Sequence, residues 1–264
     1  MDTLRTPGPA CLIALLSFLA SSGCSSGPEP SGSPGGDPAG LDEEIRGLDS
    51  QNPRERAHSR DLLLAQGRGV ARALGRELSA RVEAGDTGPG FAVVVRLLGA
   101  FGGPDALESL RLASLKRSLD PALRVEAVRS LGMTGSPACV PTLVECAGEG
   151  EPIPVRLAAA AALAAFTETS PARETLKSMV VLGPEPVREE ASRSLLPCEE
   201  EDLREFYLVR LVDRSPAVRL AAVDYFRRRP CPEAAAPLST LARADRDLRV
   251  VIAAGKALEE MSGR

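Results

Sequence analysis

Small aliphatic residues return along the chain in a segment of nearly constant form and spacing. Within each copy the first, fifth, sixth and ninth positions are apolar or small. Five copies begin at Leu123, Val155, Val187, Val218 and Val250, so neighbouring copies are separated by 31 or 32 residues. A period of this length predicts a repeat architecture, in which one supersecondary unit stacks on the next.

The spacing within a copy predicts an α-helix. Offsets of four, five and eight positions, as at Val218, Ala222 and Val223, fall on one helical face. Each copy is therefore predicted to be an amphipathic helix with a narrow stripe of small residues. An earlier copy fits from Gly90 onward, and residues 54–67 form a poorer copy that we expect to be a terminal cap.

Proline marks the start of most copies and of the segments between them. An acidic or hydroxyl residue followed by proline is typical of a helix start, and such pairs stand at Asp120-Pro121, Glu151-Pro152, Glu185-Pro186 and Ser215-Pro216. Second helices are predicted between the copies, over residues 104–118, 137–147, 171–181 and 232–242. Two helices per unit predict an all-α solenoid of about six to seven repeats, because no single unit can bury its own apolar face.

The pattern Val-Arg-x-x-Ala-x-x-x-Leu after a proline turn resembles the short HEAT-like repeats that also occur in bilin lyases. The resemblance covers roughly residues 41–262 and implies an α-solenoid. No Thr-Pro-Leu-His segment favours ankyrin repeats, and no Trp or Leu-Gly-x-x-Tyr segment favours tetratricopeptide repeats. Phe91 and Val251 stand where the other copies have arginine, so the outer repeats depart from the pattern.

The N-terminal residues have the form of an export signal. An apolar run over residues 10–20 is too short for a permanent membrane span but fits the hydrophobic region of a signal peptide. It leads into Ser21-Ser22-Gly23-Cys24, which resembles the lipobox of bacterial lipoproteins, although leucine is usual at the Ser21 position. The resemblance implies removal of residues 1–23, acylation of Cys24 and, from Ser25, an outer-membrane location in hosts that sort by that residue. Secretion without a lipid anchor is the alternative.

Residues 24–40 are rich in Gly, Pro and Ser and lack large apolar side chains that could offset the entropy of ordering them. We predict a flexible tether that reaches about 20 Å. The domain organisation is thus a signal peptide over residues 1–23, a tether over 24–40 and a solenoid over 41–264.

Composition narrows the fold and the partner. Aromatic residues are 3% of the chain and Trp is absent, so the core must consist of small aliphatic side chains on closely packed helices. The net charge of −4 lacks the basic excess that binding to a phosphate backbone needs. Another protein is the expected partner, with a membrane reached through the lipid anchor and no nucleic acid.

Four arginines stand at the same position of four copies: Arg124, Arg156, Arg188 and Arg219. They could form a basic row that contacts a ligand. Alternatively, each could donate hydrogen bonds to carbonyl and acidic groups in the turns, tying neighbouring units together. The structural interpretation is favoured because the loss of arginine in the outer copies would interrupt a binding row.

Candidate catalytic groups are few. His58 is the one histidine, so a Ser-His-Asp triad, a Cys-His pair or a His-rich metal site would all have to use it. The acidic run Glu199-Glu200-Glu201-Asp202 follows a proline at a predicted helix start, where acidic residues favour the positive end of the helix dipole. We therefore expect a non-enzymatic protein without a cofactor or metal.

The cysteines of the repeat region are predicted to be buried apolar groups rather than ligands. Cys139 and Cys146 are seven positions apart on one predicted helix, about 10 Å along its axis and beyond bridging distance. Cys198 and Cys231 follow helices of adjacent repeats, so a disulfide between them stays an alternative.

Tyr207, Tyr225, Arg227 and Arg228 are the residues that could mark a protein-binding surface, because Tyr and Arg are enriched in binding hot spots. Their helical positions equally allow the tyrosines to belong to the core. The function expected is a protein-binding scaffold tethered at the cell envelope. A HEAT-like enzyme accessory that binds a small molecule and a self-associating structural component are the alternatives.

Overall fold

Helices account for nearly all regular structure in residues 38–198 and 203–263, the part of the chain that the computed structural model describes. Short 3-10 turns occupy Gly67–Val70, Pro137–Cys139 and Ala164–Phe166. In chain order the α-helices are α1 Pro38–Gly47, α2 Pro53–Gln66, α3 Ala71–Ala84, α4 Phe91–Phe101, α5 Pro104–Leu115, α6 Pro121–Met133, α7 Val140–Cys146, α8 Ile153–Leu163, α9 Ser170–Leu182, α10 Glu185–Ser194, α11 Leu203–Arg210, α12 Pro216–Arg228, α13 Pro232–Ala244 and α14 Leu248–Ser262.

The helices alternate between two layers from α3 onward. Helices α4, α6, α8, α10, α12 and α14 carry the repeated segment, and each packs against the next in this series. Helices α3, α5, α7 and α9 form a second layer with the same serial packing, while α11 and α13 pack against α12 and α14. The all-α solenoid predicted from the period is therefore confirmed.

The N-terminal helices depart from this arrangement. Helices α1 and α2 pack against each other, whereas α3 packs against α4 and α5 and so begins the second layer. The predicted terminal copy over residues 54–67 corresponds to α2, and most of its face is exposed: its buried residues are Ser59 and Leu63. This end of the stack is closed by a polar helix, as a solenoid requires.

Small residues set the distance between the repeated helices. A Cβ atom on Gly99 of α4 would lie 2.8 Å from the Cβ of Ser130 on α6, and one on Gly132 would lie 2.8 Å from the Cβ of Ala162 on α8. Real Cβ atoms do not approach this closely. The helices can therefore pack at this separation only because glycine stands at these two positions.

Helices begin at or within one residue of the proline-marked starts, but the predicted capping holds at one of them. The Asp120 carboxylate accepts a hydrogen bond from the Ala122 amide at 2.7 Å. Ser215 instead donates to the carboxylate of Glu189 at 2.8 Å, and Glu151 accepts hydrogen bonds from arginine side chains. Contacts between repeats thus take precedence over local capping at these turns.

Among the described residues, no helix combines the length and the apolar character that crossing a membrane requires.

Candidate functional site

The two tyrosines lie in the core. Tyr207 is fully buried and Tyr225 is 3% exposed. Their rings stack with centroids 4.5 Å apart, and the Tyr207 hydroxyl donates to the Ser192 carbonyl oxygen at 2.7 Å. Burial raises the pKa of both phenols. This corrects the placement of Tyr207 and Tyr225 on a contact surface: the packing of α11 on α12 covers both rings.

The two arginines of that group remain accessible. Arg227 is half-buried and forms ion pairs with Asp224 at 3.3 Å and with Glu260 at 3.8 Å. Arg228 is exposed. The four residues therefore do not form one patch.

Arg124 joins three segments of the chain. Its Nε donates to the Ser114 carbonyl oxygen, at the end of α5, at 2.8 Å. Its Nη2 forms an ion pair with Glu151, in the turn before α8, and both side chains are buried, with exposures of 2% and 4%. Arg117 also donates to Glu151, over 3.2 Å. The pair ties the repeat of α6 to the turn that starts the next repeat.

Arg188 and Arg219 repeat this arrangement. Arg188 Nε donates to the Val180 carbonyl oxygen at 2.9 Å, and its Nη2 forms an ion pair with Asp213. Arg219 donates from Nε and Nη2 to the two carboxylate oxygens of Asp245, each at 2.7 Å, and from Nη1 to the Asp213 carbonyl oxygen at 2.8 Å. These bonds from Arg219 lower the pKa of Asp245. The contacts of all three arginines are therefore with the protein itself.

The acidic partners lie at a nearly constant distance along the sequence from their arginines. Glu151, Asp213 and Asp245 lie 27, 25 and 26 positions after their arginines, in the turn that precedes the next repeated helix. These acids were not among the residues predicted from the sequence, although their nearly constant spacing from the arginines is visible in it. The spacing is too long for the pairing at three or four positions that a helix surface shows.

Arg156 is the exception among the four. Its side chain is buried, with 6% exposure, and its Nε has no hydrogen-bond acceptor among the described residues. The positions 25 to 27 residues further on are Val181, Leu182 and Gly183, none of which carries a carboxylate. The repeat pattern places an arginine here without its acid.

The turns that join a second helix to the next repeated helix form what we call the turn edge, over residues 147–152, 183–184, 211–215 and 245–247. Large apolar residues beside these turns are exposed: Ile153 by 44%, Leu182 by 66%, Val212 by 80% and Leu248 by 69%. Two grooves open there. One of about 800 Å³ lies between the turns that carry Val212 and Leu248, and one of about 330 Å³ lies beside Arg156.

Residues that could carry redox or metal chemistry do not converge on these grooves. Cys139, Cys146, Cys198 and Cys231 are free buried thiols, and burial raises the pKa of Cys146 to about 11. His58 is exposed on α2. Within residues 38–198 and 203–263, His, Cys, Asp and Glu side chains form no group of three that could hold a metal ion.

Two segments with a predicted role lie outside the described residues. One is the lipidation site Cys24 with the tether as far as residue 37, and the other is the acidic run over residues 199–202, which was expected to be a helix start. Residues 38–40, the end of the predicted tether, instead begin α1.

Comparison with known proteins identifies the type of repeat. Residues 109–196 match the family of HEAT repeats. The helix pairs in this part of the chain are similar to HEAT repeats. No curated protein matches the sequence.

One solved structure shows a similar fold over nearly the whole chain. The YibA protein of Escherichia coli has a TM-score of 0.57 at 17% identity, and the match covers 97% of this chain and 88% of that chain. The complex of CpcE and CpcF of phycocyanin lyase from Nostoc sp. has a TM-score of 0.44 at 21% identity, with 90% of this chain and 92% of that chain covered. Human deoxyhypusine hydroxylase in complex with glycerol has a TM-score of 0.40 at 17% identity, with 86% and 97% covered. At these identities the likeness to YibA shows the fold alone.

Proposed function

We propose that this HEAT-repeat chain is a non-catalytic scaffold that binds another protein along its turn edge. The observation that carries the proposal is the groove of about 800 Å³, which has two strongly exposed apolar side chains, Val212 and Leu248, in its lining. Scattered exposed apolar residues are ordinary on protein surfaces, whereas apolar side chains that line a concave site are a feature of binding sites.

The charged residues around this groove are arranged as in a protein–protein interface. Arg214 and Arg246 are exposed and line it, while Arg219 and Asp245 neutralise each other beneath it. An apolar centre with a polar rim is the usual composition of a protein interface, and arginine is enriched in its energetic centres. We therefore expect a partner that presents apolar side chains flanked by acidic ones.

The test is a crosslinking capture from envelope fractions with the full chain as bait. A Val212→Ser, Leu248→Ser double variant should lose the captured protein. Met133→Ser is the matched control, because Met133 is 62% exposed at the opposite end of a repeated helix and lines neither groove described above. Equal loss with the control variant, or no partner captured by the unchanged bait, would contradict the proposal.

The same preparations separate the other candidate functions. Mass spectrometry of the purified protein under native conditions would detect a retained small molecule, which would favour the enzyme-accessory alternative over a non-catalytic scaffold. Light scattering would detect self-association without a partner, which would favour a structural component. A monomer that retains no small molecule is the expected result.

We further propose that the scaffold is anchored at the cell envelope through an acylated Cys24. The support is the sequence alone: the apolar run, the Gly23-Cys24 pair and the Gly/Pro/Ser-rich tether. Metabolic labelling with an alkyne fatty acid should mark the wild-type chain and not Cys24→Ala, and the variant should leave the membrane fraction. Labelling of the variant would contradict acylation at Cys24, and an unlabelled wild type released to the medium would favour secretion.

A further inference from the structure

Arg156 stands at the repeat position where three other repeats have an arginine that binds a carboxylate. In those repeats the guanidinium binds the acid of the following turn, at Glu151, Asp213 and Asp245. At Arg156 the following turn supplies no acid. Its buried Nε also lacks an acceptor among the described residues, whereas the corresponding Nε donates to a carbonyl oxygen in Arg124 and Arg188 and to a carboxylate in Arg219. A buried guanidinium without its counter-ion is costly, because the desolvation of the charge is not compensated.

The space around Arg156 is large enough for the missing group. The groove beside it has a volume of about 330 Å³ and lies between the end of α7 and the outer face of α9. Thr175 and Ser178 line it and can donate hydrogen bonds from their hydroxyls. Leu182, 66% exposed, also lines it and offers an apolar contact at the end of α9.

We propose that Arg156 binds one carboxylate of a partner protein, an aspartate or glutamate side chain that stands next to an apolar residue. The partner's acid takes the place that Glu151, Asp213 or Asp245 holds at the other junctions, and its apolar neighbour packs on Leu182. This inference rests on the proposed scaffold function, since it names the chemistry that the partner presents to the turn edge.

The surroundings favour a single carboxylate over a phosphate group. Glu149 and Glu174 also line the groove, and their charges would repel a dianion more than a monoanion. The same arginine position binds one carboxylate in each of the three other repeats, and the guanidinium fork matches the two oxygens of a carboxylate.

The test observes the Nε–H group of Arg156 directly. In the ¹⁵N-labelled full chain its signal is assigned by its loss in Arg156→Lys, and the protein is titrated with N-acetyl-glutamyl-leucinamide. The Arg156 signal should shift with saturation at a concentration roughly tenfold lower than with N-acetyl-glutaminyl-leucinamide, because the charge-assisted bond is absent from the amide peptide. The signals of Arg124, Arg188 and Arg219 should not move, because their guanidinium groups are already paired with carboxylates of the chain.

A carboxylate supplied by the chain itself provides the complementary variant. Leu182→Asp places an acid 26 positions after Arg156, within the spacing of the other pairs. It is preferred over Gly183→Asp, because a Cβ on Gly183 would lie 2.5 Å from the Met179 carbonyl oxygen. Leu182→Asp should raise the melting temperature and abolish the peptide response. Val209→Asp is the control, since Val209 is 59% exposed on α11 and does not line the groove.

Three results would overturn the inference. They are equal responses to the two dipeptides, a full response that persists in Leu182→Asp, and a response to inorganic phosphate at lower concentration than to the glutamyl peptide. In the capture experiment, Arg156→Gln should reduce the bound partner roughly tenfold. Capture by the wild type without a peptide response would reject this inference and leave the proposed function standing. A peptide response without capture of a partner protein would contradict the proposed scaffold function instead.

Discussion

Gly132 tests the packing of the repeated helices most directly. It lies on α6 where that helix meets α8, and an added Cβ would be 2.8 Å from the Ala162 Cβ and 3.2 Å from the Ala162 Cα. Ordinary van der Waals contact begins at 3.4 Å. Gly132→Ala must therefore move one helix relative to the other, because neither atom of Ala162 belongs to a flexible side chain that could rotate away.

The expected magnitude follows from two opposing terms. Inserting a methyl group into a packed core costs typically about 1–3 kcal/mol, and a contact with two atoms of a helix places this site in the upper half of that range. Replacing glycine by alanine inside a helix stabilises by about 1 kcal/mol. We expect Gly132→Ala to reduce the free energy of unfolding by about 1–2 kcal/mol.

Gly255 provides the matched control. It lies inside α14, and an added Cβ would meet nothing within 4 Å. Gly255→Ala should therefore stabilise by about 1 kcal/mol through helix propensity alone. Urea denaturation followed by far-UV circular dichroism would measure both variants. If both substitutions stabilise the protein, the helices do not approach at Gly132 as described.

Three further predictions concern buried polar groups. Arg124→Met should destabilise by about 3 kcal/mol in urea denaturation, because Glu151 is left buried with one exposed partner, and the double variant with Glu151→Gln should recover part of the loss. Arg219 lowers the pKa of Asp245 below the ordinary value of about 3.9, so this pair contributes stability that is fully present above that value and is lost as the pH falls through the folded-state pKa. Asp245→Asn should flatten the acid limb of stability against pH, and an unchanged limb would contradict the pairing. Burial raises the pKa of both tyrosines, so phenolate absorbance should rise only above the ordinary value of about 10; a normal titration would place the rings at the surface.

The fold followed from the sequence because a stack of repeats uses one local pattern many times. The copies at Leu123, Val155 and Val218 each specify a helix of the same layer, so errors at one copy do not change the architecture. The ends of individual helices were predicted less accurately. The segment over 137–147 was predicted as one helix, but its first turn is 3-10 and the α-helix begins at Val140.

The residues of the proposed binding site could not be chosen from the helical pattern. Tyr207 and Tyr225 lie on amphipathic helices, where a ring can face either the core or a partner, and only the packing of α11 on α12 decides between them. The partners of the repeated arginines are 25 to 27 positions away, so they become visible only when two turns are brought side by side. Val212 and Leu248 carry no motif, because their significance comes from being exposed in one groove.

A buried arginine paired with an acid is also present at the junction between repeats at the N-terminal end of the stack. Phe91 replaces the arginine of the repeated segment there, yet a buried guanidinium is still present, because Arg81 of α3 donates to the Asp49 carboxylate at 3.0 Å. Asp49 also accepts a hydrogen bond from the Gly90 amide at 2.9 Å, at the start of α4, and Arg81 lowers its pKa. A paired guanidinium and carboxylate can thus occupy a junction without an arginine at the position of the repeated segment.

The Arg156 junction differs from the N-terminal junction. At the N-terminal junction Phe91 stands in place of the arginine of the repeated segment, and Arg81 forms the pair with Asp49. At the Arg156 junction the arginine is buried, and the following turn carries no acid to pair with it. Replacing such an arginine by an apolar side chain would relieve the desolvation cost of several kcal/mol. A carboxylate from outside the chain, bound in the open groove beside Arg156, would complete the pair and compensate this cost.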